Sequence, residues 1–285
     1  MGLSAGASRQ NGSDQVRKNR ELNGVIIGLA AVMAFSGVQL WRTVREYRQG
    51  EAAYEVLTQY ITMPEQEKEP PPESNRKPKR QRTTEAHSGV SEALGLREED
   101  SPAVDFSALR EINPDVVAWI IIDGTEINYP VVQGETNDQY LRRMFDGTPN
   151  HRGSIFLDSR CSPSLTDGHT VIYGHHMKNQ TMFSALEQYK QQEFYEAHPR
   201  GWLITPQESY RLRFFAGYVT DSGSEAWKIP LEGKEQWLRE AMAQSYFQCD
   251  ETVTGPVQIV TLSTCSDDFE GARFVLHGVL EKDAP

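Results

Sequence analysis

Apolar side chains follow three regimes along this chain. Residues 22–41, LNGVIIGLAAVMAFSGVQLW, run for 20 positions without a charge, the span a helix needs to cross the hydrocarbon core of a bilayer. Residues 42–60 turn amphipathic, with Val44, Tyr47, Tyr54 and Leu57 along one side of a continuing helix. Residues 64–82, PEQEKEPPPESNRKPKRQR, then carry prolines, an acidic block and a basic block but no other apolar side chain. Such a stretch buries too little surface to offset its ordering entropy. A linker is predicted there, extended in part by its prolines, with polar sequence continuing to about Pro102.

The third regime begins at Asp105. DFSALREIN predicts a short helix capped by Asp105 and stopped at Asn113-Pro114. Strand-like runs follow at 116–122, 126–133, 153–158, 169–174, 201–206, 210–220, 257–264 and 273–280, separated by Gly, Pro, Asn and Asp turns. Helical spacing interrupts them at 180–197, QTMFSALEQYKQQEFYEA, and at 234–248, KEQWLREAMAQSYFQ. Many short strands with few helices predict a mainly β domain, a closed or nearly closed barrel with added helices. Closure removes the exposed edges that invite aggregation.

Charge gives the apolar run a direction. Arg17, Lys18 and Arg20 precede it and Trp41 ends it, while Arg42, Arg45 and Arg48 on the far side are diluted by Glu46 and Glu51. The expected arrangement is a cytoplasmic tail over 1–21, a single-pass anchor over 22–41, a juxtamembrane helix and linker over 42–104, and an extracellular domain over 105–285. Two other readings use the same residues. One is a cleaved signal peptide with small residues at Ala34–Ser36. The other is a buried core helix, which the charges crowding both ends oppose. The formal net charge of −11 argues against nucleic acid as a partner, since phosphate binding needs a concentrated basic surface. No phosphate-loop motif and no internal repeat stands out.

Three segments carry candidate chemistry. In VQIVTLSTC, period 2 puts Thr261, Ser263 and Cys265 on one strand face, with the thiol at the strand end beside a loop. That suits a nucleophile, although a small buried hydrophobe or a disulfide with Cys161 or Cys249 fits as well. The next seven residues, SDDFEGA, are short enough to close a hairpin that returns Arg273 to the cysteine. A guanidinium there would favour thiolate or donate to an oxyanion. A surface pairing with Asp267, Asp268 or Glu270 is the plainer alternative. In VIYGHHM, a strand delivers Tyr173, Gly174 permits a tight turn, and His175 and His176 follow as imidazoles fit for proton transfer. Adjacent histidines with His169, Asp167 or Cys161 nearby also suggest a metal, but the spacing matches no strong zinc pattern.

These segments resemble the sortases, membrane-anchored cysteine transpeptidases of Gram-positive bacteria. TLSTC (261–265) looks like the family's TLxTC signature, Arg273 stands where its arginine follows, and YGHHM (173–177) is similar to its histidine motif. The STC ending, the helix at 234–248 and the opening NPDVVAWIIIDGTEINYPVVQGETNDQYL resemble class B, over about residues 105–282. The resemblance implies an eight-stranded sortase barrel working without metal or cofactor. It implies that Cys265 attacks a backbone carbonyl in a sorting signal to form a thioacyl-enzyme. His175 would act as acid and base, and Arg273 would steady the substrate and the oxyanion. Ser263, Asn137 and Leu141 match positions that line the family's peptide groove. The implied partners are a surface protein with an Asn-Pro-x-Thr-x type signal and an amine from cell-wall peptide or a pilin. Many class B members carry asparagine where this chain has His176. The rival readings are a cysteine hydrolase of the same fold and a membrane-tethered binding module without chemistry.

Overall fold

The computed structural model describes residues 7–64, 101–250 and 253–282. The linker expected over 64–82 lies, from residue 65 onward, outside the described residues. The chain divides into two units, residues 1–52 and residues 53–285. Helix α1 runs without interruption over Ala7–Leu57, joining the apolar and amphipathic stretches. Ile27, Leu29, Met33, Phe35 and Leu40 are exposed along it, which excludes the core-helix reading. Among the described residues, one helix, near the N-terminus, is long and apolar enough to cross a membrane.

The second unit takes in the end of α1, from residue 53 onward. Tyr54 and Leu57 are both buried. The Tyr54 hydroxyl donates to the Gly153 carbonyl at 2.8 Å, and its ring meets Tyr129 edge-on at 5.4 Å. Strand β1 (Ile61–Thr62) pairs antiparallel with β2 (Ala103–Val104). Then α2 (Phe106–Ile112) starts where the Asp105 carboxylate accepts from the Ala108 amide at 3.0 Å. That is an N-cap satisfying one of the free amides of a first turn.

Eight strands close the barrel: β3 (Val116–Ile121), β4 (Asn128–Val132), β5 (Ile155–Leu157), β6 (His169–Tyr173), β7 (Arg200–Ile204), β8 (Ser209–Thr220), β9 (Gln258–Cys265) and β10 (Arg273–Lys282). Their order around it is β10-β8-β7-β3-β4-β5-β6-β9, with β9 returning to β10. The pairs β4–β5 and β6–β9 are parallel and the others antiparallel. Residues on both faces of β9 are buried, Ile259 and Thr261 on one and Val260 and Leu262 on the other, as befits a strand between two neighbours.

Two helices differ from the sequence expectation. The stretch 180–197 forms a 3₁₀ helix over Ser184–Lys190 and a short α3 over Gln192–Ala197. Phe183, Leu186 and Tyr189 recur every third residue and all are fully buried, the period of a 3₁₀ turn. Gln191 between the two pieces is extended, at φ −108° and ψ 130°. Helix α4 spans Lys234–Gln244 and stops short of 248 because Ser245 turns extended. The Ser245 hydroxyl accepts from the Gly217 amide at 3.1 Å, and the Tyr246 amide donates to the Gly217 carbonyl at 2.8 Å. Trp237, Leu238 and Ala241 of α4 cover Phe215, Tyr218, Val275 and Val279 on the barrel.

Candidate active site

Strand register brings the chemistry together. In the antiparallel β9–β10 ladder, Arg273 stands directly opposite Cys265. Opposed residues point to one face with Cβ atoms about 4.5–5.5 Å apart. On the other side of β9, the parallel β6 ladder sets Tyr173 beside Ser263, and the Gly174 amide donates to the Ser263 carbonyl at 3.0 Å. Both strands therefore end at one rim, and His175 and Cys265 leave it side by side. A groove of about 220 Å³ is lined by Cys265, His175, Arg273, Ser263, Asn137 and Leu141, with Phe156, Tyr173 and Gly174. All six residues singled out from the sequence thus meet in one depression. Tyr173, Ser263 and Arg273 also border an adjoining groove of about 460 Å³, walled by Arg160, Ser224, Glu225, Trp227 and Lys228.

Each group is held by its own surroundings. The His175 Nε2 lies 2.7 Å from the Leu141 carbonyl oxygen. A carbonyl accepts only, so Nε2 carries hydrogen and the neutral ring keeps its basic lone pair on Nδ1. The Phe183 amide donates to the His175 carbonyl at 3.0 Å, fixing the backbone that carries the ring. Gly174 serves packing more than turning: a Cβ there would lie 2.5 Å from Ile155 Cδ1 and 2.6 Å from the Phe183 ring. The Arg273 Nη1 donates to the carbonyls of Ala272 at 2.9 Å and Gly271 at 3.3 Å. Asp268, an acid of the same loop, pairs with Lys190 at 2.6 Å instead.

None of the three cysteines forms a disulfide, and they differ in access: Cys265 is exposed, Cys249 half-buried and Cys161 buried. Burial pushes the Cys161 thiol up to about 11, far from a thiolate at neutral pH. Among the described residues, no three His, Cys, Asp or Glu side chains gather as a metal site would require. His169 is instead engaged by the Lys228 carbonyl at 2.8 Å and the Thr261 hydroxyl at 2.7 Å.

Comparison with known proteins accords with this geometry. The sortase domain model matches residues 120–281. Sortase B of Staphylococcus aureus (strain NCTC 8325 / PS 47) is 31% identical over 257 residues, covering 89% of this chain and 93% of that protein. The chain belongs to the sortase family. It is a class B sortase, a cysteine transpeptidase of surface-protein processing. The barrel resembles a Staphylococcus aureus sortase B–substrate complex with a TM-score of 0.59 and 36% identity, covering 63% of this chain and 85% of that one. A sortase B complexed with triglycine matches with a TM-score of 0.59 and 36% identity, over 63% of this chain and 86% of that one.

Beneath the groove of this sortase lies a carboxylate that sequence reasoning did not single out. Asp158 is fully buried and takes both Nε and Nη2 of Arg160, at 2.9 and 2.8 Å. Its Oδ2 also accepts from the Tyr173 hydroxyl at 2.9 Å and from Asn137 Nδ2 at 3.1 Å. Burial works to raise its pKa, but the Arg160 and Tyr173 bonds outweigh that and hold it down at about 2. Asn137 is anchored at both ends of its amide, since its Oδ1 accepts from the Ser159 amide at 2.8 Å. The pattern LDSR, an acid leaving a buried strand two residues before an arginine, is the one sequence signal for this anchor.

Proposed function

We propose that Cys265, His175 and Arg273 carry the transpeptidation, on a sorting signal of Asn-Pro-x-Thr-x type. The carrying observation is the β9–β10 register, which opposes Arg273 to Cys265 within the groove that His175 also lines. The Cys265 thiol gives its proton to His175 Nδ1, and the resulting thiolate attacks the carbonyl carbon of the scissile peptide bond, whose π electron pair moves onto oxygen. Arg273 donates hydrogen bonds to that oxyanion. Collapse of the tetrahedral species expels the amine, which takes a proton from His175 and leaves a thioacyl-enzyme. An incoming amine then attacks the thioester carbonyl, loses its proton to His175 and displaces the thiolate. Ser263, Asn137 and Leu141 hold the peptide along the groove, with Asn137 kept in place through Asp158.

The acceptor is an amine of cell-wall peptide or of a pilin subunit. Residues 22–41 anchor the chain as a single pass, with 1–21 cytoplasmic, 42–104 as juxtamembrane helix and linker, and 105–285 as the extracellular catalytic domain. The exposed apolar side chains of α1 support this arrangement. Incubating the protein with a fluorogenic Asn-Pro-x-Thr-x peptide, with and without triglycine or a diaminopimelate-type amine, tests the reading. The expected result is a new peptide bond to the added amine, seen by mass spectrometry. Fast hydrolysis that never incorporates the amine would make this chain a hydrolase instead.

A further inference from the structure

The second imidazole of the histidine segment contacts the nucleophile's backbone from another direction. His176 does not line the groove of Cys265; its ring opens on a separate depression of about 370 Å³ with Gln180, Ser184, Glu187 and Lys190. Its Nδ1 lies 3.1 Å from the main-chain carbonyl oxygen of Cys265. A carbonyl has no hydrogen to give, so the ring nitrogen donates. That donor is present in the Nδ1–H neutral tautomer and in the charged ring alike.

The same peptide is held at its other end, where the Ser266 amide donates to the Ala272 carbonyl at 3.0 Å, and the Ser266 side chain is tied as well. Glu187 Oε2 stands 3.8 Å from His176 Nδ1, and Glu187 Oε1 accepts from Lys190 Nζ at 3.1 Å. Asp268 Oδ2 accepts from Lys190 Nζ at 2.6 Å, and the Ser266 hydroxyl contacts both the Glu187 and the Asp268 carboxylate. Lys190 keeps its proton more firmly than usual: burial opposes the charge, and the bonds to Asp268 and Glu187 outweigh it. So the carbonyl of Cys265 and the side chain of the next residue are both clamped to the segment 176–190. Cys265 is the last residue of β9, where the strand ladder gives way to the loop 266–272. The plane of the peptide between Cys265 and Ser266 sets the backbone angle at Cys265, and through it the direction of the thiol.

We propose that His176 is a positioning residue for Cys265, holding the nucleophile's peptide plane through the Nδ1–H to carbonyl bond. This rests on the reading of Cys265 as the nucleophile. His176 itself touches neither peptide substrate nor amine.

The test compares His176→Asn, His176→Gln and His176→Leu in the full chain, purified in detergent, alongside Cys265→Ala. Asparagine puts its amide nitrogen one bond from Cγ, as Nδ1 is; glutamine sets it one atom too far; leucine has no donor. The expected kcat falls about 10–100-fold for Leu and Gln, the scale of displacing a reacting group by about 1 Å. KM stays within about threefold, and Asn retains kcat within about threefold, because the lost contact orients the enzyme and does not bind peptide. Equal losses for Asn and Leu, no loss for Leu, or losses carried in KM would each overturn the assignment. Should the Leu variant not fold, the ranking of Asn over Gln decides it. Full activity in Cys265→Ala would remove the nucleophile and this inference together. An inactive Cys265→Ala with the wrong His176 ranking removes the inference alone.

Discussion

Arg273→Lys separates a charge from a shaped donor. Arg273 faces Cys265 across the β9–β10 ladder, and its Nη1 is tied to the Ala272 carbonyl at 2.9 Å. That bond orients the guanidinium plane and leaves its remaining N–H groups for the groove. Lysine keeps the positive charge but offers a point charge on a flexible stem, with no planar fork to hold by one edge and use by the other. Loss of one aligned oxyanion donor costs about 10²–10³-fold in kcat, or about 2.7–4 kcal/mol. Arg273 is half-exposed, so water competes and the lower end applies: a fall of about 10²-fold in kcat, near 2.7 kcal/mol. Stability should change by less than about 0.5 kcal/mol, since the side chain leaves no cavity in the core. Steady-state cleavage of a sorting peptide gives kcat and KM, and a thermal melt checks the fold. A variant that melts like the parent and turns over within about fivefold of it would refute the oxyanion role.

Two further outcomes follow from the same structure. Gly153 has φ +59°, and a Cβ on it would lie 2.6 Å from the Leu141 carbonyl oxygen, 2.8 Å from that of Tyr140 and 3.0 Å from His175 Cδ2. Gly153→Ala should therefore cost about 1–3 kcal/mol, lower the melting point by several degrees and reduce kcat by moving the acceptor of His175; an unchanged melt with full kcat would contradict this. His277 and His169 are bridged by the Thr261 hydroxyl inside the barrel, with bonds of 2.8 and 2.7 Å. Burial pushes both imidazoles below their usual pKa, helped at His277 by repulsion from His169. The unfolded chain therefore binds more protons than the folded one once pH drops below about 6.5, so stability is complete above that value and declines beneath it. Thermal melts between pH 7 and 5 should show the midpoint falling, with a shallower slope in His277→Leu; a flat or rising midpoint would contradict the sign.

The meeting of Cys265 and Arg273 is legible in the sequence because SDDFEGA is too short for anything but a hairpin return, and an antiparallel return fixes who faces whom. The closeness of His175 is not legible in that way. It depends on β6 and β9 pairing in parallel across some ninety residues of chain, and only the resemblance of the motifs pointed to it. Asp158 is hidden for a different reason: a buried carboxylate is tolerable only with partners, and of these only Arg160 is local, while Tyr173 and Asn137 come to it from two other segments. Likewise Gly153 reads as an ordinary turn glycine until the Leu141 carbonyl and the His175 ring are seen against it. The 3₁₀ turn at 184–190 has apolar residues at both i+3 and i+4 spacings, and burial in the finished barrel selects the first. Tyr54 and Leu57 show their apolar side in the sequence, but nothing local shows that the second unit receives it.

The central claim is that the thiol of Cys265, and no other, carries the acyl group. Mixing the protein with a sorting peptide in the absence of amine, quenching in acid and mapping the adduct by mass spectrometry tests it directly. The account predicts the acyl mass on the fragment containing Cys265, discharged when triglycine is added. An adduct on Cys161 or Cys249, or product formed with no thioester at all, would contradict it.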